Sequence, residues 1–304
     1  MTQRVSVVIP LYNHANYITA AIQSVLAQGQ IVGEIIVIND GSTDTSSAVM
    51  ADLVHLDPRI IFWSQPNRGA HATLNAGMAR ATGDILAILN SDDIYAPGRL
   101  TRLVAALDLD LGADLAASSI KFIDGNGTEI TNSWHNEALG GFKARGDLGL
   151  SLMDANFLMT TSNFVMRRTL VEKIGAFAPL RYAHDLDFGL RAAANGCRLA
   201  FVDEKLLAYR FHATNTIHEN HSRVRWEWAI AAAHFLHRVT TSTDHPDVDW
   251  DRIKQAFAIA QKHSLAQAIE YSIIYFSRHP VNSLERSQIL YDRKFDKIMM
   301  ECLQ

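Results

Sequence analysis

Four short apolar runs, separated by helix-like segments, constrain the fold of the N-terminal half more than any other feature. Each run has the length of a buried strand. They are Val5–Pro10, Glu34–Asn39, Ile60–Ser64 and Ile85–Leu89. Apolar side chains recur at helical spacing over residues 18–26, and helices are predicted over 45–56 and 70–81. Repeated strand–helix–strand units predict an α/β fold with a doubly wound, mostly parallel sheet.

The fourth run ends in two adjacent carboxylates, Asp92 and Asp93. Open α/β sheets bind ligands at the carboxyl ends of their strands. Neighbouring acidic groups repel each other unless a cation or a donor-rich ligand lies between them. We therefore predict a hard metal ion that serves a phosphate-bearing substrate. A polar turn, or a cap for the next helix, is the alternative.

Polar residues also follow the other three strands, and the predicted sheet would gather them at one edge. Tyr12 and Asn13 follow the first run, Asp40 the second and Arg68 the third. Such an edge is suited to a nucleotide. Each residue has a local alternative: Asp40 as a helix cap, Arg68 as a solvated charge, and Tyr12 with Asn13 as a turn. No GxGxxG or GxxxxGK[ST] motif occurs, which disfavours dinucleotide binding and P-loop chemistry.

Composition narrows the class of partner. The net charge of −4 over 304 residues gives no basic surface for nucleic acid. Cys197 and Cys302 are too few and too far apart for a disulfide framework. No signal peptide and no 18-residue apolar run are recognised, so we expect a cytoplasmic protein, with the inner face of the cell membrane as a further location.

Three segments, in order and at the right spacing, resemble a known family. The segments are SVVIPLYNHANYITAAIQSVLAQ, EIIVINDGSTDTS and NRGAHATLNAGMARATGDILAILNSDD. They resemble the family 2 glycosyltransferases of the Rossmann-like GT-A fold, and the resemblance extends from about Val5 to about Thr216. It implies an inverting, non-processive enzyme that uses a nucleotide-activated sugar.

The resemblance also implies roles for individual residues. A divalent cation, Mn²⁺ or Mg²⁺, would bridge the donor diphosphate, with Asp93 as principal ligand and Asp92 near the ribose and the cation. One departure is Asn90, where many relatives have an acidic residue. Donor-binding residues carried over by position are Pro10, Tyr12, Asn13, Asp40, Arg68 and Asp92.

A later segment resembles the acceptor side of the family's site. Its usual Glu-Asp pair is His184-Asp185 here, and Asp185 is by position the general base. A carboxylate at a helix N-terminus has suitable chemistry for that role, although it can also act as a cap. The segment ending in His212 resembles one in which a His approaches the cation. His212 is therefore a candidate metal ligand, or else a buried structural histidine.

The remaining chain is predicted to be mainly helical, with helices near residues 224–239, 250–262, 265–277 and 282–300. We expect residues 1–221 to form a GT-A nucleotide-sugar-binding catalytic domain and residues 222–304 a helical C-terminal extension. Residues 131–150 lack periodicity and predict a long loop, as a lid or on the acceptor side. Trp226, Trp228 and Phe235 could pack on the catalytic domain, bind a partner or contact a membrane surface.

The predicted function is inverting transfer of a sugar, with UDP the favoured nucleotide, to an acceptor hydroxyl in glycan or polysaccharide biosynthesis. The acceptor would be a saccharide, a lipid-linked saccharide or a protein. A catalytically idle nucleotide-sugar- or glycan-binding protein of the same fold is the main alternative. A sugar nucleotidyltransferase is disfavoured because PLYNHANY lacks a Gly-rich loop with a basic residue.

Overall fold

The chain forms two compact units, each assembled from three separate segments. The computed structural model describes residues 5–212, 219–241, 249–279, 289 and 292–303. The first unit comprises Met1–Asn132, Thr160–Lys173 and Arg198–His212, and the second Ser133–Met159, Ile174–Cys197 and Ala213–Gln304. This division differs from the predicted boundary after residue 221, because residues 133–159 and 174–197 group with the C-terminal helices.

A nine-stranded sheet is the centre of the first unit. Its strands are β1 (Val5–Leu11), β2 (Val32–Asp40), β3 (Ile60–Gln65), β4 (Ile85–Ile88), β5 (Ile94–Tyr95), β6 (Ala113–Ile123), β7 (Glu129–Ile130), β8 (Val165–Arg167) and β9 (Arg198–Arg210). Their order is β3-β2-β1-β4-β8-β6-β9-β5, and β7 pairs with β6 at the side.

The sheet is parallel in its first half and mixed in its second. Strands β3, β2, β1 and β4 are parallel neighbours, which confirms the predicted strand–helix–strand start. Strand β8 runs antiparallel to both β4 and β6, whereas β6 and β9 are parallel. The predicted mostly parallel sheet is confirmed, with β8 inserted as an antiparallel strand between β4 and β6.

Residues 198–202 and 206–211 have the sequence pattern of two strands joined by a turn at Asp203-Glu204, but β9 is continuous across this turn. Its pairing with β6 passes from Val202 opposite Ser118 to Lys205 opposite Ser119. Two extra residues are therefore accommodated as a bulge, which bends a strand without ending it.

Helices α1 (Ile18–Leu26), α2 (Ser46–Leu53), α3 (Ala70–Arg80), α4 (Arg99–Leu109) and α7 (Arg168–Ile174) follow strands of the sheet. The first three confirm the helices predicted between the parallel strands. Gly77 lets α3 approach the sheet closely. A Cβ there would lie 2.3 Å from Val8 Cγ1 and 2.9 Å from Ile38 Cδ1, so a larger residue would force the helix outward.

The second unit is helical. It contains α5 (Ser133–Arg145), α6 (Leu148–Asp154), α8 (His184–Ala194), α9 (His221–Thr241), α10 (Trp250–Lys262), α11 (Ala266–Arg278) and α12 (Arg293–Cys302). The predicted C-terminal helices are confirmed, except that part of the one expected over 282–300 lies outside the described residues. Trp226 and Phe235 are buried, and Trp228 Nε1 donates to Met153 O at 3.2 Å, so this stripe packs inside the unit. None of the described helices combines the length and apolar character needed to cross a bilayer.

The loop predicted over residues 131–150 is wrong, because α5 and the start of α6 occupy it. Only His135 of helix α5 is buried, and the helix contains two internal glycines, so its sequence shows no apolar stripe at helical spacing. Tertiary contacts hold it instead. His135 Nε2 lies 2.9 Å from Phe157 O, and the Phe142 and Phe157 rings stack 4.1 Å apart.

Candidate active site

The loops after β1 and β2 are tied together by Asn13. Its Oδ1 accepts the backbone N–H of Thr43 at 2.8 Å, and its own N–H donates to Ser42 Oγ at 2.9 Å. Asn13 adopts a φ of 53°, which is uncommon for residues other than glycine but tolerated by Asn. The neighbouring Tyr12 is 46% exposed, so its ring is available to a ligand.

Asp40, at the end of β2, has both carboxylate oxygens engaged. Oδ1 accepts from Gln65 Nε2 and from the Arg68 N–H, both at 2.9 Å, and Oδ2 accepts from the Gly69 N–H at 2.9 Å. These contacts tie the segment that leads into α3, whose cap residue is Gly69, to the end of β2. The Arg68 side chain is exposed. Base recognition by Asp40 and Arg68 stays a prediction.

The two adjacent carboxylates after β4 have different surroundings. Asp93 is 1% exposed; its carboxylate accepts from Ser162 Oγ at 2.5 Å and from the Arg210 N–H at 2.9 Å. Burial, reinforced by the charge of Asp92, raises the pKa of Asp93 well above its ordinary value. Asn90 is engaged in the same region, since its amide bonds to the Thr160 and Thr161 hydroxyls.

Asp92 instead lies with two histidines. His212 Nε2 is 3.0 Å from Asp92 Oδ2, and His14 Nδ1 is 4.0 Å from Asp92 Oδ1. One ligand atom from each residue lies within 4.8 Å of the other two. They come from the loop after β1, the turn after β4 and the end of β9. The structure thus groups Asp92 and His212 as predicted and adds His14, while Asp93 is engaged elsewhere.

The donor set of this His14–Asp92–His212 cluster fits a divalent cation. Donor atoms on opposite sides of such an ion are about 4 to 5 Å apart, so all three can contact one ion. Two imidazole nitrogens with one carboxylate favour a transition ion such as Mn²⁺ over Mg²⁺, which prefers oxygen ligands.

Arg210 and Tyr17 hold the cluster in place. The buried Arg210 Nε donates to the Asp92 carbonyl at 2.9 Å, and its Nη1 donates to the carbonyls of Asp124 and Gly125. The guanidinium lies 4.7 Å from the centre of the Tyr17 ring, which stacks 5.5 Å from the His212 ring. His14 Nδ1 is also 2.8 Å from Ser91 Oγ.

Asp185 belongs to the second unit, in the first turn of α8. It is 8% exposed, and Asn156 Nδ2 donates to its Oδ2 at 2.9 Å. Burial raises the pKa of this carboxyl, while the charge of His184 opposes the rise. A carboxylate whose pKa is raised by desolvation is a better proton acceptor, which suits a general base.

The neighbouring Asp187 pairs with Arg191, four residues further along α8, and the pair is buried. Arg191 Nε donates to Asp187 Oδ2 at 2.7 Å, and both side chains are at most 6% exposed. Arg191 Nη1 and Nη2 also donate to the carbonyls of Ile174 and Ala176. This pair therefore anchors α8 to the turn before it.

Sequence reasoning missed His14, Tyr17, Ser91 and Arg210. His14 directly follows the predicted Asn13, and Arg210 precedes the predicted His212 by two residues. His14 could have been predicted as a site residue, because an imidazole next to the end of a strand is a possible ligand. The bonds of Arg210 to residues 92, 124 and 125 had no signal in the sequence.

Comparison with known proteins identifies the family. The model of glycosyl transferase family 2 matches residues 6–175. This chain belongs to that family. It is 32% identical over 229 residues to an uncharacterized glycosyltransferase of Nostoc sp., covering 70% of this chain and 66% of that protein. It is 35% identical over 127 residues to the succinoglycan biosynthesis protein ExoO of Rhizobium meliloti, covering 41% of this chain and 36% of that protein. The chain thus spans less than two thirds of these relatives.

Solved structures confirm the GT-A fold. S. aureus TarS 1-349 in complex with UDP-GlcNAc superimposes with a TM-score of 0.60 at 18% identity, over 99% of this chain and 90% of that one. The mannosyltransferase PcManGT from Pyrobaculum calidifontis, in complex with GDP-Man and Mn²⁺, gives 0.59 at 16% identity, over 100% and 85%. The family assignment rests on the sequence match, and these structures show the fold.

Proposed function

We propose that this family 2 glycosyltransferase is inverting and cation-dependent, and that it transfers a sugar from a nucleoside-diphosphate sugar to a saccharide hydroxyl. The observation that carries the proposal is the His14–Asp92–His212 cluster at the carboxyl edge of the sheet. Two structural neighbours are complexes, one with UDP-GlcNAc and the other with GDP-Man and Mn²⁺, which supports a nucleotide-sugar donor. A relative named for succinoglycan biosynthesis supports polysaccharide assembly.

Asp92, His212 and His14 would hold the cation. When bound, a divalent ion neutralises charge on the diphosphate as it departs. The nucleoside of the donor would be bound by Pro10, Tyr12, Asn13, Asp40 and Arg68. The buried Asp93 would stabilise the site through the bonds it accepts from Ser162 Oγ and from the Arg210 N–H at the end of β9. This assignment transfers the principal ligand role from Asp93 to Asp92.

Asp185 accepts the proton of the acceptor hydroxyl. The acceptor oxygen forms a bond to the anomeric carbon, while the bond from that carbon to the diphosphate oxygen breaks. The nucleoside diphosphate leaves with the electron pair, so charge and atoms balance. A single displacement of this kind inverts the configuration at the anomeric carbon.

The first test measures Mn²⁺ affinity by electron paramagnetic resonance. Asp92→Asn, His14→Ala and His212→Ala should each weaken Mn²⁺ binding at least about tenfold, because each removes one of three ligands. Asp84→Asn is the matched control, since Asp84 is an exposed carboxylate just before β4, at the opposite end of that strand. Unchanged Mn²⁺ affinity in Asp92→Asn would refute the ligand set.

The second test identifies the donor. UDP-glucose, UDP-N-acetylglucosamine and GDP-mannose are screened with Mn²⁺ by thermal shift, because a bound ligand raises the unfolding temperature. Release of nucleoside diphosphate from the selected donor would support an enzyme. Donor binding without release, in the presence of a panel of saccharide acceptors, would favour the idle binding protein instead.

A further inference from the structure

A buried carboxylate of the second unit, Glu227 on α9, has no place in the proposed chemistry. It is 6% exposed. Glu227 Oε1 accepts the backbone N–H of Arg181 at 3.0 Å, and Oε2 accepts those of Tyr182 at 2.6 Å and Ala183 at 2.9 Å. Three consecutive backbone donors thus converge on one side chain. Charge-assisted bonds of this kind are stronger than those between neutral groups.

These three residues lead directly into the first turn of α8. The cap position of that helix is Ala183, which has no side-chain oxygen, and no side-chain cap bond forms there. Helices that lack such a cap need other partners for their entering segment. Glu227 supplies them from another helix, and its negative charge lies at the positive end of the α8 dipole.

Asp185 is two residues beyond Ala183, so its position depends on this segment. Its other described contacts are few: Asn156 donates to one oxygen, and the Leu186 N–H donates to the second at 2.8 Å. Neither contact fixes the backbone that enters α8. A shift of residues 181–183 would carry the Asp185 carboxylate with it.

We propose that Glu227 is a positioning residue for Asp185, holding the α8 entrance so that the carboxylate keeps its catalytic orientation. The proposal rests on the proposed role of Asp185 as general base. It links α9, which the sequence placed in a separate extension, to the proton-transfer step.

Glu227→Gln is the informative variant, because it keeps the side-chain volume. The amide has one acceptor oxygen and presents an NH₂ group to backbone donors on its other side. We expect kcat for nucleoside diphosphate release, from UDP-N-acetylglucosamine or GDP-mannose as the donor screen selects, to fall at least about tenfold. The donor KM and the calorimetric donor Kd should stay within about twofold, since no donor-binding residue is changed.

Glu219→Gln is the matched control. Glu219 also contacts Arg181, but through the guanidinium (Nε to Oε2 and Nη2 to Oε1, both 2.8 Å), and it is exposed. This variant should keep the wild-type kcat. A fall in kcat equal to that of Glu227→Gln would overturn the proposal, because loss of a carboxylate charge near Arg181, rather than loss of the backbone bonds of Glu227, would then account for both.

A double-mutant cycle separates positioning from general stabilisation. If Glu227 acts through Asp185, the Asp185→Asn/Glu227→Gln double variant should be no slower than Asp185→Asn alone. Multiplicative losses, or an unchanged kcat in Glu227→Gln, would overturn the proposal. If Asp185→Asn alone retains wild-type turnover, the base assignment fails instead, which is a distinguishable result.

Circular dichroism checks that each variant is folded. Should Glu227→Gln fail to fold, Glu227→Asp makes the same comparison. It keeps the charge but shortens the reach by one methylene, so the expected kcat lies between wild type and the tenfold loss. A wild-type kcat in a folded Glu227→Asp variant would also contradict the proposal.

Discussion

Replacing Asp187 by Asn should destabilise the protein at neutral pH, and the pH-dependent part of that loss should disappear in acid. The Asp187–Arg191 pair is buried, and Arg191 also bonds the carbonyls before α8. Burial by itself would raise the pKa of Asp187, but the charge of Arg191 and a bond from His234 lower it to about 2. The folded state therefore favours the ionised carboxylate.

The magnitude follows from that shift. An ordinary Asp has a pKa of 3.8 here, so lowering it to about 2 corresponds to about 2 kcal/mol of folding stability. Because the folded pKa is depressed, this contribution is complete above pH 3.8 and is lost as the pH falls through about 2. Roughly half of it should remain at pH 3.

Urea unfolding of wild type and Asp187→Asn at pH 7, 5 and 3, followed by circular dichroism, measures the difference. The gap in unfolding free energy should be similar at pH 7 and 5 and smaller by about 1 kcal/mol at pH 3. Asp251→Asn is the control, since Asp251 pairs with Lys254 on the exposed surface of α10 and should barely matter. A gap that stays constant down to pH 3 would refute the buried-pair reasoning.

Four further expectations concern catalysis, packing and the cation. Burial raises the pKa of Asp185, and a general base must be deprotonated to act. The acid limb of the kcat/KM profile should therefore have its midpoint above the ordinary pKa of Asp, and a midpoint near pH 4 would contradict this. Asp185→Asn should lose at least about a hundredfold in turnover with donor Kd unchanged, and unaltered turnover would exclude it as the base. Gly77→Ala should cost roughly 1–3 kcal/mol in urea unfolding, since its Cβ would meet Val8 at 2.3 Å; an unchanged midpoint would be inconsistent with that contact. Chelation should abolish nucleoside diphosphate release and Mn²⁺ should restore it, whereas activity persisting in chelator would count against the cation.

The local sequence pattern was sufficient to predict most strands and helices of the first half of the sheet. Strand and helix periods are properties of short stretches, so the four parallel strands and three helices were predictable residue by residue. The carboxyl-edge location of Asp40 and Asp92 followed from topology, because parallel strands end at one edge. The helix over Ser133–Arg145 was not predictable in this way, since its stability comes from the contacts of His135 and Phe142 with Phe157.

Adjacent residues of similar chemistry were separated only by the folded structure. Asp92 and Asp93 are chemically identical in the sequence, yet one lies with two histidines and the other accepts bonds from Ser162 and Arg210. Likewise, Asp187 and Arg191 resemble an ordinary surface pair until the burial of α8 is known.

The amino-acid sequence therefore determined the family, the strand–helix order of the first half of the sheet and the sheet edge at which the polar strand-end residues lie, because these depend on patterns within short segments. The tertiary structure decided which side chains meet, such as His14 with His212 and Glu227 with the segment that enters α8. It also decided that β8 lies between β4 and β6 and runs antiparallel to both. Such contacts join residues far apart in the chain, and their energy depends on burial and orientation, which no local pattern encodes.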